Sequence, residues 1–113
     1  MAKKAWPDWD VYKRDNLTCV YCDLDGGEKF SVFRQMVIDH LVPTSRGGDD
    51  TPENKVVSCY RCNTLKGAYD PRPGAQDKKQ QIENVIKFLD LKNSEEQKDF
   101  ELMREEMNKQ PNS

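Results

Sequence analysis

The sequence has 113 residues, 35% hydrophobic and 34% charged, which bounds it to one small domain with a modest core. No run approaches the ~20 apolar residues of a bilayer span, and the first residues lack the apolar stretch of a secretory signal, so a soluble, intracellular protein is expected. The net charge of −2 argues against a strongly basic nucleic-acid binder. Yet residues 1–72 balance 11 Lys/Arg against 11 Asp/Glu, and the acid excess lies in residues 73–113, with 7 against 9. Between residues 54 and 72, Lys55, Arg61, Lys66 and Arg72 face Asp70 alone, a locally positive stretch.

In chain order, residues 6–14 predict a short helix with Pro7 in its first turn and Asp8 and Asp10 near its positive end. Cys19-x-x-Cys22 predicts a tight knuckle, and Asp25-Gly26-Gly27 a turn. Residues 30–38 are dense in β-branched and aromatic side chains (Phe30, Val32, Phe33, Val37, Ile38), which predicts one or two strands. They should end at Asp39-His40, because Pro43 cannot continue a central strand. Gly47, Gly48, Asp49 and Asp50 mark a loop, and residues 55–58 read as a returning strand that makes a hairpin.

After Cys59-x-x-Cys62, residues 63–69 predict a short helix stopped by Pro71 and Pro73, with residues 70–74 as a linker. Ile82, Val85, Ile86 and Leu89 fall at i, i+3, i+4 and i+7, one apolar face of a helix over residues 76–91. Ser94-Glu95-Glu96-Gln97 reads as a capping box opening a second C-terminal helix, with Phe100, Met103 and Met107 on one side. Such stripes mostly serve a chain's own core, the other use being a dimerising or partner-binding surface. Residues after 108 are expected to fray. The chain thus divides into a cysteine-bearing unit, residues 1–72, and a helical extension, residues 73–113.

The chemistry starts with Cys19, Cys22, Cys59 and Cys62. In a secreted domain four cysteines could form two disulfides; in an intracellular chain they stay reduced, and thiolate ligation of a metal is expected. Two Cys-x-x-Cys steps complete a tetrahedral Zn²⁺ shell with no open position, which makes the metal structural. The 36 residues between Cys22 and Cys59 exceed a simple zinc ribbon, so something substantial is inserted.

The insert carries the only histidine, His40, preceded by Asp39. A largely neutral imidazole can take a proton from water, and a carboxylate can hold a hard cation such as Mg²⁺. Neighbours in a regular strand face opposite sides, so the two can share a site only where the strand bends or ends. Asn63, just past Cys62, is expected at a helix start, whose free N–H groups favour an anion. Lys66 and Gly67 follow one turn later, as a phosphate contact with close backbone approach or as a C-terminal lysine with its glycine cap.

In order over residues 14–67, the strings Arg14-Asp15-Asn16-Leu17-Thr18-Cys19-Val20-Tyr21-Cys22, Ile38-Asp39-His40-Leu41-Val42-Pro43, Arg46-Gly47-Gly48, Pro52-Glu53-Asn54 and Cys59-Tyr60-Arg61-Cys62-Asn63-Thr64-Leu65-Lys66-Gly67 resemble the HNH endonucleases, in the subgroup with a four-cysteine zinc. The resemblance implies an α+β, zinc-stapled ββα-metal domain of treble-clef-like form, to which the two C-terminal helices are added. It implies that His40 is the general base, that Asp39 and Asn63 bind one catalytic Mg²⁺ or Mn²⁺, and that Asn54 ties the loop so as to hold His40. DNA is the implied partner, with Arg46, Arg61 and Lys66 foremost among phosphate contacts, Arg34 and Lys55 behind them, and 5′-phosphate and 3′-hydroxyl ends as products. The implied setting is the cytoplasm of a bacterial or phage-infected cell, with a homodimer or a phage or restriction assembly partner met through the C-terminal helices.

Two positions depart from the family's pattern. Asn63 stands where the family name has histidine, and its amide oxygen suits Mg²⁺ at least as well. The run 23–27 lengthens the turn after the first knuckle. A non-catalytic zinc module that binds nucleic acid or a protein assembly on the same scaffold is the other reading.

Overall fold

A two-stranded hairpin sits at the centre of the computed structural model, which describes residues 7–109. The elements run α1 (Trp9–Arg14), α2 (Phe30–Phe33), β1 (Met36–His40), β2 (Lys55–Cys59), α3 (Tyr60–Lys66) and α4 (Lys78–Lys109), with 3₁₀ turns at Thr44–Arg46 and Pro52–Asn54. β1 and β2 are antiparallel, with Met36 opposite Cys59 and His40 opposite Lys55. The hairpin, the knuckles and the helix after the second knuckle follow the sequence expectation of a small α+β domain.

β2 is buried along its whole length, so its outer edge needs partners for its backbone groups. The first knuckle and the end of α1 supply them: Val20 N–H donates to Val57 O at 3.0 Å, and Val57 N–H donates to the Asp15 carboxylate at 2.9 Å. Covering the edge in this way removes a template for strand addition. Arg14 completes the tie, forking onto Asp15 and donating to Pro52 O at 2.8 Å and Lys55 O at 2.6 Å. Among the described residues no buried side-chain polar atom lacks a partner.

Several sequence expectations are corrected. The first helix starts at Trp9, after Asp8 in the left-handed region, and Trp6 lies outside the described residues. Residues 30–33 form a single helical turn rather than strand, with Phe33 N–H on Lys29 O and Arg34 N–H on Phe30 O, both at 3.0 Å. Four residues of mixed aromatic and β-branched type cannot show a period, and here Val32 needs only one buried face.

α3 begins at Tyr60, three residues earlier than expected, because Cys59 is its N-cap: the Cys59 sulfur accepts from Cys62 N–H at 3.4 Å. Asn63 is therefore inside the helix, and its N-terminus faces sulfur, not a phosphate. Gly67, at φ 54°, ends it.

The linker is tied down. Asn84 donates to Pro71 O at 2.9 Å and Pro73 O at 3.2 Å, and Tyr69 stacks on Phe88 with ring centroids 4.2 Å apart. Val85 and Leu89 join the core formed by Val11, Leu41, Val56, Val57, Cys19, Cys59 and Cys62. The two expected C-terminal helices are one continuous helix of 32 residues. Asp77 caps it, accepting from Gln80 N–H at 2.8 Å, and with no Gly or Pro before its end the Ser94 box has no break to cap. Its distal half leaves Phe100, Leu102, Met103 and Met107 exposed.

In the loop between the strands, Gly48 lies so close to Val42 that a Cβ would meet the Val42 carbonyl oxygen at 1.8 Å. Gly48→Ala is therefore expected to push the loop off the hairpin and cost on the order of 1–3 kcal/mol, read as a lower urea midpoint. An unchanged midpoint would contradict this packing.

Candidate metal centre and active site

Two knuckles bring all four sulfurs within 4.8 Å of one another, with Cys22 and Cys59 Sγ atoms 3.7 Å apart and all four cysteines free. A tetrahedral ion with Zn–S bonds of about 2.3 Å needs sulfur–sulfur edges of about 3.8 Å. The donor set fits Zn²⁺ and leaves no position for substrate. The hydrogen bond from Cys62, outweighing burial, pushes the Cys19 thiol down to about 4, while the same bond and burial push Cys62 up. Burial raises Cys22. Metal binding would displace the protons of these thiols.

β1 ends at His40, so Asp39 and His40 close the strand and reach different partners. Asp39 is buried; its carboxylate accepts from the Tyr21 hydroxyl at 2.6 Å, and Lys66 Nζ lies 3.2 Å from Oδ2 and 3.4 Å from Oδ1. Burial and the Asp39 charge push the Tyr21 hydroxyl well up, so it stays protonated and donating. Lys66, expected at a phosphate, instead has a fully buried side chain, and its ammonium also donates to His40 O at 3.1 Å. One buried cation thereby holds both residues at the strand end.

His40 is half-buried, and its Nε2 donates to Asp50 Oδ1 at 2.7 Å. Lys55 Nζ lies 3.2 Å from the same oxygen and 2.9 Å from Asp8. Hydrogen bonds from His40 and then Lys55 hold the Asp50 carboxyl below the usual carboxylate range. Asn54 clips the loop: Oδ1 accepts from Val42 N–H at 2.9 Å, and Nδ2 donates to Val42 O at 3.0 Å and Asp49 O at 2.8 Å. It does not touch the imidazole; the bond to His40 comes from Asp50.

Asn63 is half-buried, one turn before Lys66 on the face of α3 that meets Asp39. Carboxylate and amide oxygens are hard donors and suit Mg²⁺ or Mn²⁺ in type, though a cation there would share Asp39 with the Lys66 ammonium. Arg46 and Arg61 are exposed, with Arg46 Nε on Ala68 O at 3.0 Å and Arg61 Nη1 on Asn93 Oδ1 at 2.8 Å. Tyr21 and Asp50 escaped the sequence reading. Their only signals were an aromatic inside a Cys-x-x-Cys step and a paired carboxylate in a glycine loop.

The assembly is a small α+β domain with four cysteines positioned for a metal ion and a strand-end histidine on its hairpin. Residues 19–68 match the sequence model of the HNH endonuclease family. The chain is similar to an uncharacterised protein of Methanocaldococcus jannaschii, MJECL32, at 26% identity over 96 residues, 85% of this chain and 22% of that protein. It is also similar to a CRISPR-associated endonuclease Cas9 of Corynebacterium diphtheriae, at 39% identity over 56 residues, 49% of this chain and 5% of that protein. The chain thus spans about a fifth or less of either relative. No helix among the described residues is long and apolar enough to cross a membrane.

Proposed function

We propose that this chain is a metal-dependent HNH endonuclease that hydrolyses DNA phosphodiester bonds, with His40 as general base and Zn²⁺ as a structural staple. The observation that carries this reading is the sole histidine: half-exposed, at a strand end, anchored on Asp50 through Nε2, and inside the matched segment. His40 Nδ1 takes a proton from water, the resulting hydroxide bonds to phosphorus, and the P–O3′ bond breaks, the departing oxygen taking a proton from solvent, to leave 5′-phosphate and 3′-hydroxyl ends. Asp39 and Asn63 would hold Mg²⁺ or Mn²⁺, which when bound supplies positive charge to the scissile phosphate and the departing oxygen. Asn54 keeps the loop shut over the hairpin, and Arg46 and Arg61 are the phosphate contacts that remain after Lys66 is set aside.

On this reading the protein acts in the cytoplasm of a bacterial or phage-infected cell, residues 1–72 form the nuclease unit, and the extension carries any dimer or assembly contact. One site cuts one strand, so simultaneous cutting of both needs a second copy.

Zinc-loaded protein with Mg²⁺ or Mn²⁺ is expected to relax or linearise supercoiled plasmid. His40→Ala should lower the rate on the order of 10²- to 10⁴-fold with the melting temperature retained. Plasmid left intact under every metal condition would overturn the enzyme.

A second reading, a non-catalytic zinc module, is favoured by the occupied state of Asp39, whose charge is already balanced by Lys66. It expects DNA or partner binding without cleavage, and no difference between wild type and His40→Ala.

A further inference from the structure

We infer that Asp50 is the positioning residue of His40: its carboxylate fixes the imidazole as the Nε2–H tautomer and so reserves Nδ1 for the reacting water. The inference rests on the reading of His40 as the base, but its geometry stands apart from any metal. A carboxylate only accepts, so the 2.7 Å contact requires the proton on Nε2, and a neutral ring then carries its lone pair on Nδ1.

Asp50 is 79% exposed in its side chain, and an exposed carboxylate does not hold one place unaided. Here its surroundings place it. Lys55, the cross-strand partner of His40, binds the same Oδ1 and is itself held by Asp8 ahead of α1. The backbone on either side is pinned: Asp49 O accepts from Asn54, and Asp49 Oδ1 accepts from Thr51 N–H at 3.1 Å and Thr51 Oγ1 at 2.6 Å. Asn54 therefore orients the histidine at one remove, by fixing the loop that presents Asp50. Because the pair lies at the surface, removing it should leave the fold intact, which makes the inference testable.

The chain has a single histidine, so ¹⁵N-histidine labelling reports His40 alone. In the zinc-loaded protein, at a pH where the ring is neutral, imidazole ¹⁵N shifts should give Nε2–H and a bare Nδ1. Asp50→Ala should turn this into a mixture of tautomers, while Asp50→Asn, which keeps an acceptor oxygen, should preserve it. In the cleavage assay Asp50→Ala should lower kcat roughly 10- to 100-fold with little change in KM, the size of effect seen when an oriented imidazole loses its outer partner, and Asp50→Asn should recover most of it. An Nδ1–H tautomer in the wild type, the same tautomer in Asp50→Ala, or an unchanged kcat would each overturn the inference. The nitrogen shifts need no cleavage, so a failure of the nuclease reading alone would leave them as stated.

Discussion

Removing zinc under reducing conditions is expected to unfold the protein and abolish cleavage, although no catalytic group is touched. Three of the eleven residues of the buried apolar cluster are Cys19, Cys59 and Cys62, so the core is partly built from the metal's own ligands. The centre joins the first knuckle, which pairs with β2 through Val20 and Val57, to Cys59, which ends β2 and caps α3. A structural four-thiolate zinc contributes on the order of 10 kcal/mol of apparent folding free energy. A small domain holds only about 5–15 kcal/mol in total, so the loss is comparable to the whole.

Elemental analysis should give about one zinc per chain. A strong chelator should then collapse the far-ultraviolet dichroism and release the metal in step with loss of activity. Cys59→Ala should be at least as damaging, since the α3 cap goes with the ligand. A metal-stripped protein that melts at the original temperature would remove the staple from the account.

Lys66→Ala should destabilise the chain by about 3–5 kcal/mol, the scale for leaving a buried charge without its partner. The Lys66 side chain has no exposure and its ammonium binds Asp39, so the substitution strands a carboxylate that only Tyr21 then satisfies. Ordinary large-to-small loss adds to this, and Lys66→Met, which keeps the volume, isolates the electrostatic part. Pairing Lys66→Met with Asp39→Asn should restore much of the stability, because the neutral amide can still accept from Tyr21.

A lysine on the DNA backbone would behave otherwise, with stability unchanged and the slope of log K against log salt smaller by about 0.9. Urea unfolding of the three variants decides between them. If the single variants melted like wild type, the buried pair would be no more than a surface contact.

What was legible in advance follows from which signals are local. Cys19, Cys22, Cys59 and Cys62 announce their geometry by spacing alone, and all four sulfurs do converge. Pro43 and the glycine loop bracket the strand ends, so the hairpin could be read, down to a strand that stops at His40. The errors lie where tertiary context decides. Residues 30–33 are too few to display a period, and Ser94 looks like a cap only if a helix starts there.

In sequence Lys66 offers either a charge for a phosphate or a lysine at a helix C-terminus, both of them surface roles. Its burial depends on Asp39, 27 positions earlier, and on the aromatic hydroxyl that shares that carboxylate. Asp50 was missed for a similar reason: only folding of the loop brings it across the hairpin to the histidine.

The long C-terminal helix has a mechanical consequence. α4 is clamped at its base by the Tyr69–Phe88 stack and by the bonds of Asn84 to the proline segment, then runs unbroken into solvent. At about 1.5 Å per residue Met107 lies roughly 29 Å beyond Phe88, so a tilt of about 5° at the stack carries it about 2.5 Å. Arg61, on the turn of α3 that holds the second knuckle, is bonded to Asn93 on the same shaft. The helix is therefore a lever whose short arm touches the turn of α3 that carries Cys62.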